Sequence, residues 1–238
     1  SILGLVQPVT KWARTVQSSA RLGEYLEAAC RRALAGRPGP VVLAFPKDFL
    51  NQLIEPGVDI DTPIAANPRP APTSDDVSRA VDLIKSAKRP LIIAGSGSFR
   101  SGAGGILREL ATNFGIPVAT NNLARGLVPE DDNTGWGWPL AQFAAHEADL
   151  VIWAGARMAK KFGYGLSPRF PATTKMIKID LEAEEIGRGR APDLGLLADS
   201  RTALTGILSE LKARPVAPFD PSWVKQTLQE RLDVIDQA

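Results

Sequence analysis

The 238 residues are 44% hydrophobic and 23% charged, the profile of a soluble globular protein with enough apolar content for a sizeable core. A formal net charge of +2 gives no reason to expect nucleic acid or an anionic membrane as partner. One cysteine, Cys30, excludes an intrachain disulfide and a cysteine-based zinc cluster, and no apolar run reaches the roughly 18 residues that a membrane span needs.

The N-terminus lacks the charged region and small-residue cleavage site of a signal peptide, and with a lone thiol the expected compartment is a reducing cytoplasm. The abrupt start without Met suggests a piece of a longer protein. Ala20 to Leu34 places Leu22, Leu26, Ala29, Ala33 and Leu34 on one helical face, with Cys30 as a buried structural thiol. Gly36-Arg-Pro-Gly-Pro40 stops that helix, and Val41–Phe45 follows as a buried-type strand. Between 51 and 73, five prolines with little apolar periodicity read as an extended interdomain linker. Thr73 and Ser74 are candidate N-caps for a helix carrying Val77, Ala80, Val81, Ile84 and Ala87.

Strands are then expected at Leu91–Ala94, Val118–Thr120, Leu150–Ala154, Met176–Asp180 and Leu194–Ala198. Helices are expected at Ile106–Phe114 (stopped by Gly115), Leu140–Ala148, Ser200–Ala213 and Trp223–Ile235, the last after a second linker at Pro215–Pro221. This alternation predicts an α/β fold: a doubly wound parallel sheet of five or six strands, of the NAD/FAD-binding type, preceded by the end of a second α/β domain. The expected organisation is 1–50, the end of the first domain; 51–73, linker; 74–214, central domain; 215–238, linker and exit helix.

In such a sheet ligands bind at the carboxyl ends of the strands. Gly95-Ser-Gly97 follows one strand and either lets backbone approach a phosphate or is an ordinary glycine-rich turn. Arg157, in Gly155-Ala-Arg157, either clamps a phosphate or carboxylate or pairs with a nearby acid. Asp180 suits ribose hydroxyls, or caps a helix over Glu182–Ile186, or does both. Together Gly95, Gly97, Arg157 and Asp180 predict a nucleotide site without naming the nucleotide. Lys160 and Lys161 read as solvated, with one able to reach a phosphate; Trp136 and Trp138 read as loop residues that cap a pocket or, preferably, line a subunit interface; His146 reads as packing or surface. No paired carboxylates, Ser/His/Asp set or metal cluster emerges, so no catalytic residue is expected.

The order of several motifs carries a resemblance. Thr10-Lys-Trp12 and Gly36-Arg-Pro-Gly-Pro-Val-Val-Leu-Ala-Phe-Pro-Lys-Asp48 resemble the end of the pyrimidine-binding domain of thiamine-diphosphate enzymes. Lys88-Arg-Pro-Leu-Ile-Ile-Ala-Gly-Ser-Gly97, Gly115–Thr120, Gly126–Asp131, Glu147–Ile152, Gly155-Ala-Arg157 and Ile179–Gly187 are similar to successive segments of their central domain. Acetolactate synthases resemble the chain at Thr10–Trp12 and Gly155, and their central domain holds FAD. The 2-hydroxyacyl-CoA lyase and oxalyl-CoA decarboxylase branch resembles it more closely at the short 132–139 segment, which lacks a Met-His-Gly signature, and at Gly163–Phe170.

The resemblance implies a carbon–carbon lyase or ligase acting on 2-hydroxyacyl-CoA or 2-oxo acids, with thiamine diphosphate and Mg2+ held by other domains. Its central domain would hold ADP or the nucleotide end of CoA at Gly95, Gly97, Arg157 and Asp180, or alternatively FAD. It also implies a homo-oligomer, dimer or tetramer, with no nucleic-acid or membrane partner, and no activity for these 238 residues alone. A non-catalytic nucleotide-binding module and an NAD- or FAD-dependent redox domain are the rival readings.

Overall fold

The computed structural model describes residues 2–52, 68–130 and 133–236. They divide into two compact units, residues 1–68 and 69–238. Most of the expected first linker, 53–67, lies outside the described residues.

In the first unit, α1 (Ile2–Val6) precedes strand β1 (Trp12–Thr15), which pairs in parallel with β2 (Val41–Ala44). Helix α2 (Leu22–Leu34) forms the crossover that a parallel pair requires. The Lys11 ammonium donates to the carbonyls of Ala35 (2.5 Å) and Arg37 (2.9 Å), satisfying groups that the end of α2 leaves open. The Arg32 guanidinium lies 4.6 Å over the Trp12 ring. Cys30 is half-buried rather than buried, and of the expected helix face only Ala29 is fully buried while Leu26 and Leu34 are exposed.

The second unit opens with α3 (Ser74–Ser86). Its N-cap is Thr73, whose hydroxyl accepts the Asp76 N–H at 3.1 Å. Strands β3 (Pro90–Ala94), β4 (Val118–Thr120), β5 (Gly135–Gly137), β6 (Leu150–Ala154), β7 (Lys175–Asp180) and β8 (Leu194–Leu197) form one parallel sheet in the order β5-β4-β3-β6-β7-β8. The chain runs outward from β3 to β5, then returns to the other side of β3 and runs outward again. The expected doubly wound α/β fold is therefore observed, and its switch point lies between β3 and β6.

The strands alternate as a sheet covered on both faces must. Ile92, Ala94, Leu150, Ile152, Ile177 and Ile179 face a core shared with α3, α5 (Gly104–Phe114) and α8 (Ser200–Ala213). Leu91, Ile93, Val151, Trp153 and Met176 face the opposite core, which includes Trp138, Phe162, Phe170 and residues Trp223 and Val224 of α9 (Ser222–Asp236).

Gly115 ends α5 in the left-handed region at φ 66°, as its sequence position predicts. Among the described residues no helix is long and apolar enough to cross a membrane.

In the second unit the structure corrects the sequence reading in three places. A short helix, α4 (Ser96–Ser101), starts directly after β3, where a loop was expected. The expected helix over Leu140–Ala148 is instead α6 (Trp138–Ala141) followed by turns and a single 3-10 turn at Ala145–Glu147. There the N–H groups of Phe143, Ala144 and Glu147 bond three residues back, to Leu140, Ala141 and Ala144. Ala141, Ala144, Ala145 and Ala148 are nonetheless all buried. Lastly, Trp136 and Trp138 belong to β5 and α6 rather than to a loop.

Asp199 caps α8: its Oδ1 accepts the N–H groups of Arg201 (2.9 Å) and Thr202 (3.3 Å). Asp199→Ala leaves those donors without a side-chain acceptor and is expected to lower stability by about 1 kcal/mol in a denaturant titration. An unchanged midpoint would show that water replaces the cap fully.

Candidate functional site

The residues singled out in the sequence converge at the carboxyl edge of β3, β6 and β7. Gly95 and Gly97 follow β3, Gly155 and Arg157 follow β6, and Asp180 ends β7. The glycines draw the first two loops into contact. The Gly95 N–H donates to Ala154 O (3.0 Å) and the Gly97 N–H to Gly155 O (2.9 Å), while the Ser98 hydroxyl donates to Ala154 O (2.8 Å).

No side chain fits between these loops. A Cβ on Gly95 would lie 2.5 Å from the Ala156 Cα, and one on Gly97 would lie 2.7 Å from the Gly155 Cα. Since the amides of Gly95 and Gly97 are already engaged, these residues shape the crevice rather than offer donors to a ligand.

Arg157 pairs with an acid, one of the two roles its position suggested. Its Nε donates to Glu185 Oε1 at 3.0 Å, and the Nε of Arg188 donates to the other oxygen, Oε2, at 2.8 Å. Glu185 lies in the short helix α7 (Ala183–Ile186) and is buried, while both guanidiniums are about half exposed. Both arginines thus use only Nε on the carboxylate, and among the described residues their Nη atoms have no partner. The outer edge of each guanidinium remains available for a bidentate anion.

Asp180 does not cap α7, the alternative its position suggested: its Oδ1 accepts the Glu182 N–H at 3.1 Å in a turn ahead of the helix, whose N-cap is Glu182 itself, without a side-chain bond. Burial pushes its carboxyl above the ordinary carboxylate range, against the backbone N–H groups of Glu182 and Leu181, which favour the charged form. A raised acid contributes stability that is present at low pH and lost as pH rises through the folded-state value. Asp180→Asn is therefore expected to be at least as stable as the parent at neutral pH. Its advantage should vanish below the ordinary carboxylate range. Melting curves across pH check this, and a variant less stable than the parent at neutral pH would refute it.

Lys161 is exposed, as expected, and its ammonium donates to the Asn122 side-chain oxygen at 2.9 Å. Asn122 follows β4 and holds a left-handed φ of 55°, which Asn tolerates better than most residues. This bond ties the segment after β4 to the segment after β6. Burial pushes the Lys161 ammonium below its usual range. Lys160 is exposed. His146 is half-buried, with Nδ1 at 3.1 Å from Phe143 O and Nε2 at 2.9 Å from Glu147.

Beneath the β6 loop four rings interlock. Phe162 lies 4.5 Å from Trp138 and 4.8 Å from Trp153, and Phe170 lies 5.6 Å from Trp153. Trp138 is only 4% exposed, so it is a core residue rather than an interface residue. Among the described residues no three His, Cys, Asp or Glu side chains gather as a metal site.

Residues 77–207 match the family model described as thiamine pyrophosphate enzyme, central domain. The chain belongs to this family. It is 30% identical to glyoxylate carboligase of Escherichia coli O157:H7 over 241 residues, covering 97% of this chain and 40% of that protein. It is 30% identical over 236 residues to an acetolactate synthase large subunit of Parasynechococcus marenigrum, covering 94% of this chain and 38% of that protein. With the acetolactate synthase large subunit of Corynebacterium glutamicum it shares 31% identity over 234 residues, or 94% and 37% of the two chains.

In fold the chain is similar to a solved structure from Mycobacterium smegmatis described as a thiamin diphosphate-dependent enzyme. The TM-score is 0.72 at 22% identity, over 88% of this chain and 41% of that one. The chain therefore spans about 40% of the length of the curated relatives it matches.

Sequence reasoning missed Glu185, Arg188 and Asn122. For Glu185 and Arg188 a signal did exist: an acid three residues before an arginine is a standard helical pair, here just after the strand that ends on Asp180.

Proposed function

We propose that this chain is the central portion of a thiamine-diphosphate-dependent enzyme that forms or breaks the bond beside a carbonyl, with 2-oxo acids as substrates. Membership of the family supports the cofactor class. The relatives named glyoxylate carboligase and acetolactate synthase favour carbon–carbon bond formation.

The described residues offer thiamine diphosphate no metal-ligand cluster, so no chemical step is assigned to them. When bound elsewhere in the protein, the cofactor would supply a carbanion equivalent and an electron sink. The part proposed for this chain is to anchor an adenine nucleotide and to take part in a homo-oligomer.

One observation carries the nucleotide part: an acid at the end of β7 and a half-exposed arginine after β6 share Glu185 as a neighbour, at the carboxyl edge of the sheet beside the switch point. In that crevice Asp180 would take ribose hydroxyls, Arg157 would take phosphate oxygens, and Gly95 and Gly97 would keep the two loops closed on each other. A second reading, a 2-hydroxyacyl-CoA lyase, is favoured by the short 132–139 segment and would place the nucleotide end of CoA or ADP in the same crevice.

The full-length protein decides between these readings. Supplied with thiamine diphosphate and Mg2+, it is expected to condense glyoxylate or pyruvate. Cleavage of 2-hydroxyacyl-CoA instead would favour the second reading, and neither reaction would reject both. A visible flavin spectrum, with titrations of ADP, CoA and NAD, identifies the nucleotide. Failure of flavin and all three titrants would reject the nucleotide role.

A further inference from the structure

The pairing of Arg157, Glu185 and Arg188 is more specific than a surface ion pair needs to be. A buried carboxylate holds two guanidiniums, one on each oxygen and each through Nε alone. One negative charge therefore serves two positive ones. The Nη edges, the part of arginine that grips phosphate with two parallel bonds, have no partner among the described residues.

The backbone under Arg188 is also fixed. Lys178, on β7 and almost wholly buried, donates to the Arg188 carbonyl at 2.7 Å. Two residues on, the Arg190 N–H donates to Tyr164 O at 3.1 Å, and its guanidinium takes the carbonyls of Pro171, Ala172 and Thr174. Lys178 and Arg190 are thus occupied with backbone carbonyls, and Arg188 is the cation of this loop that faces solvent.

The position of Arg188 gives the pair its meaning. Asp180 ends the same strand that leads into α7, and the charges of Asp180, Glu185 and Arg188 all act on Lys178. In doubly wound nucleotide sites an acid at a strand's carboxyl end takes free ribose hydroxyls, and an arginine nearby accommodates a phosphate on the ribose instead; here Asp180 and Arg188 are linked through Glu185, whose charge acts on Asp180 and whose Oε2 accepts the Arg188 Nε–H. Burial disfavours the charge on Asp180, which lowers the repulsion such a phosphate would meet.

We propose that Arg188, positioned by Glu185, selects an adenine nucleotide whose ribose carries a phosphate at its 2′ or 3′ oxygen over one without it. The inference rests on the reading of Asp180 as the ribose contact. It assigns Arg157 to the diphosphate side and Arg188 to the ribose side, with Glu185 holding the two arginines apart.

The test is calorimetric titration of the full-length protein with AMP, adenosine 2′,5′-bisphosphate and adenosine 3′,5′-bisphosphate, which share a 5′-monophosphate. One bisphosphate is expected to bind about tenfold more tightly than AMP, the gain of one charge-assisted contact; which one binds identifies the ribose oxygen recognised. Arg188→Gln is expected to reduce that preference to within about twofold while leaving AMP affinity within about threefold, a split that a purely structural arginine would not produce. Glu185→Gln leaves a single accepting oxygen, so it can hold only one of the two guanidiniums, and should lower the preference.

Equal binding of AMP and both bisphosphates by the parent protein would overturn the proposal and leave the nucleotide site standing. An unchanged preference in Arg188→Gln, with only a lower melting temperature, would also overturn it. If none of the three binds, the nucleotide reading itself fails.

Discussion

Phe162→Ala is expected to destabilise the second unit by about 3–5 kcal/mol, the usual range for emptying a buried aromatic position. Phe162 is fully buried and packs between Trp138 and Trp153 at centroid distances of 4.5 and 4.8 Å. Trp138, Trp153 and Phe170 are bulky and locked together, so the space cannot collapse easily, and the upper half of that range is expected. The same change loosens the segment that follows β6, because Phe162 is the buried neighbour of Lys161. The Lys161–Asn122 bond should weaken with it. Chemical denaturation of the parent and variant measures the first effect. A loss below about 1 kcal/mol would mean that the cluster repacks around the gap.

Gly155→Ala is the second large effect. Gly155 has φ 56°, which costs an L-residue roughly 1–2 kcal/mol before any contact is considered. A Cβ there would also meet the Gly97 Cα and the Ser200 Oγ at 2.7 Å and the Ser98 N at 2.8 Å. Two of those three atoms are backbone, so relief requires the loops after β3 and β6 to separate, at a further cost of about 1–3 kcal/mol. A total near 3 kcal/mol would lower the melting temperature by roughly 10 °C for a domain of this size. Nucleotide binding should fall as well. Gly105→Ala is the control: nothing lies within 4 Å of its Cβ position, so that variant should melt close to the parent.

What the sequence disclosed follows from how local each signal is. The Thr73 cap and the Gly115 stop are written within a few residues, and both are observed. The five expected strands are short apolar runs bounded by polar or glycine residues, and all five are present. β5 was illegible because Gly135-Trp-Gly137 has almost no strand propensity of its own; its conformation comes from pairing with Val118–Thr120. The 140–148 segment misled because four alanines at helical spacing mark a buried face, whereas the hydrogen bonding above that face is set by the sheet beneath.

The candidate site was half legible. Gly95, Gly97, Arg157 and Asp180 stand where strand ends must bring them. That Arg157 meets Glu185, 28 residues away, is a tertiary fact that no window of the sequence contains. Likewise the engagement of the Gly95 and Gly97 amides by Ala154 and Gly155 appears only when β3 and β6 lie side by side.

The strand order also governs how the domain can assemble. β3, its first strand, has both of its neighbours later in the chain, and Ser98 just beyond it waits 56 residues for Ala154. Until β6 arrives, a nascent chain carries a wholly apolar strand with one ladder of backbone groups unpaired, the condition that invites association between chains. Closing so distant a pairing is slow, because the entropy of the intervening loop is lost before any contact returns it. The two halves of the sheet are therefore one cooperative unit, and a cut between β5 and β6 would leave each half with its inner edge open.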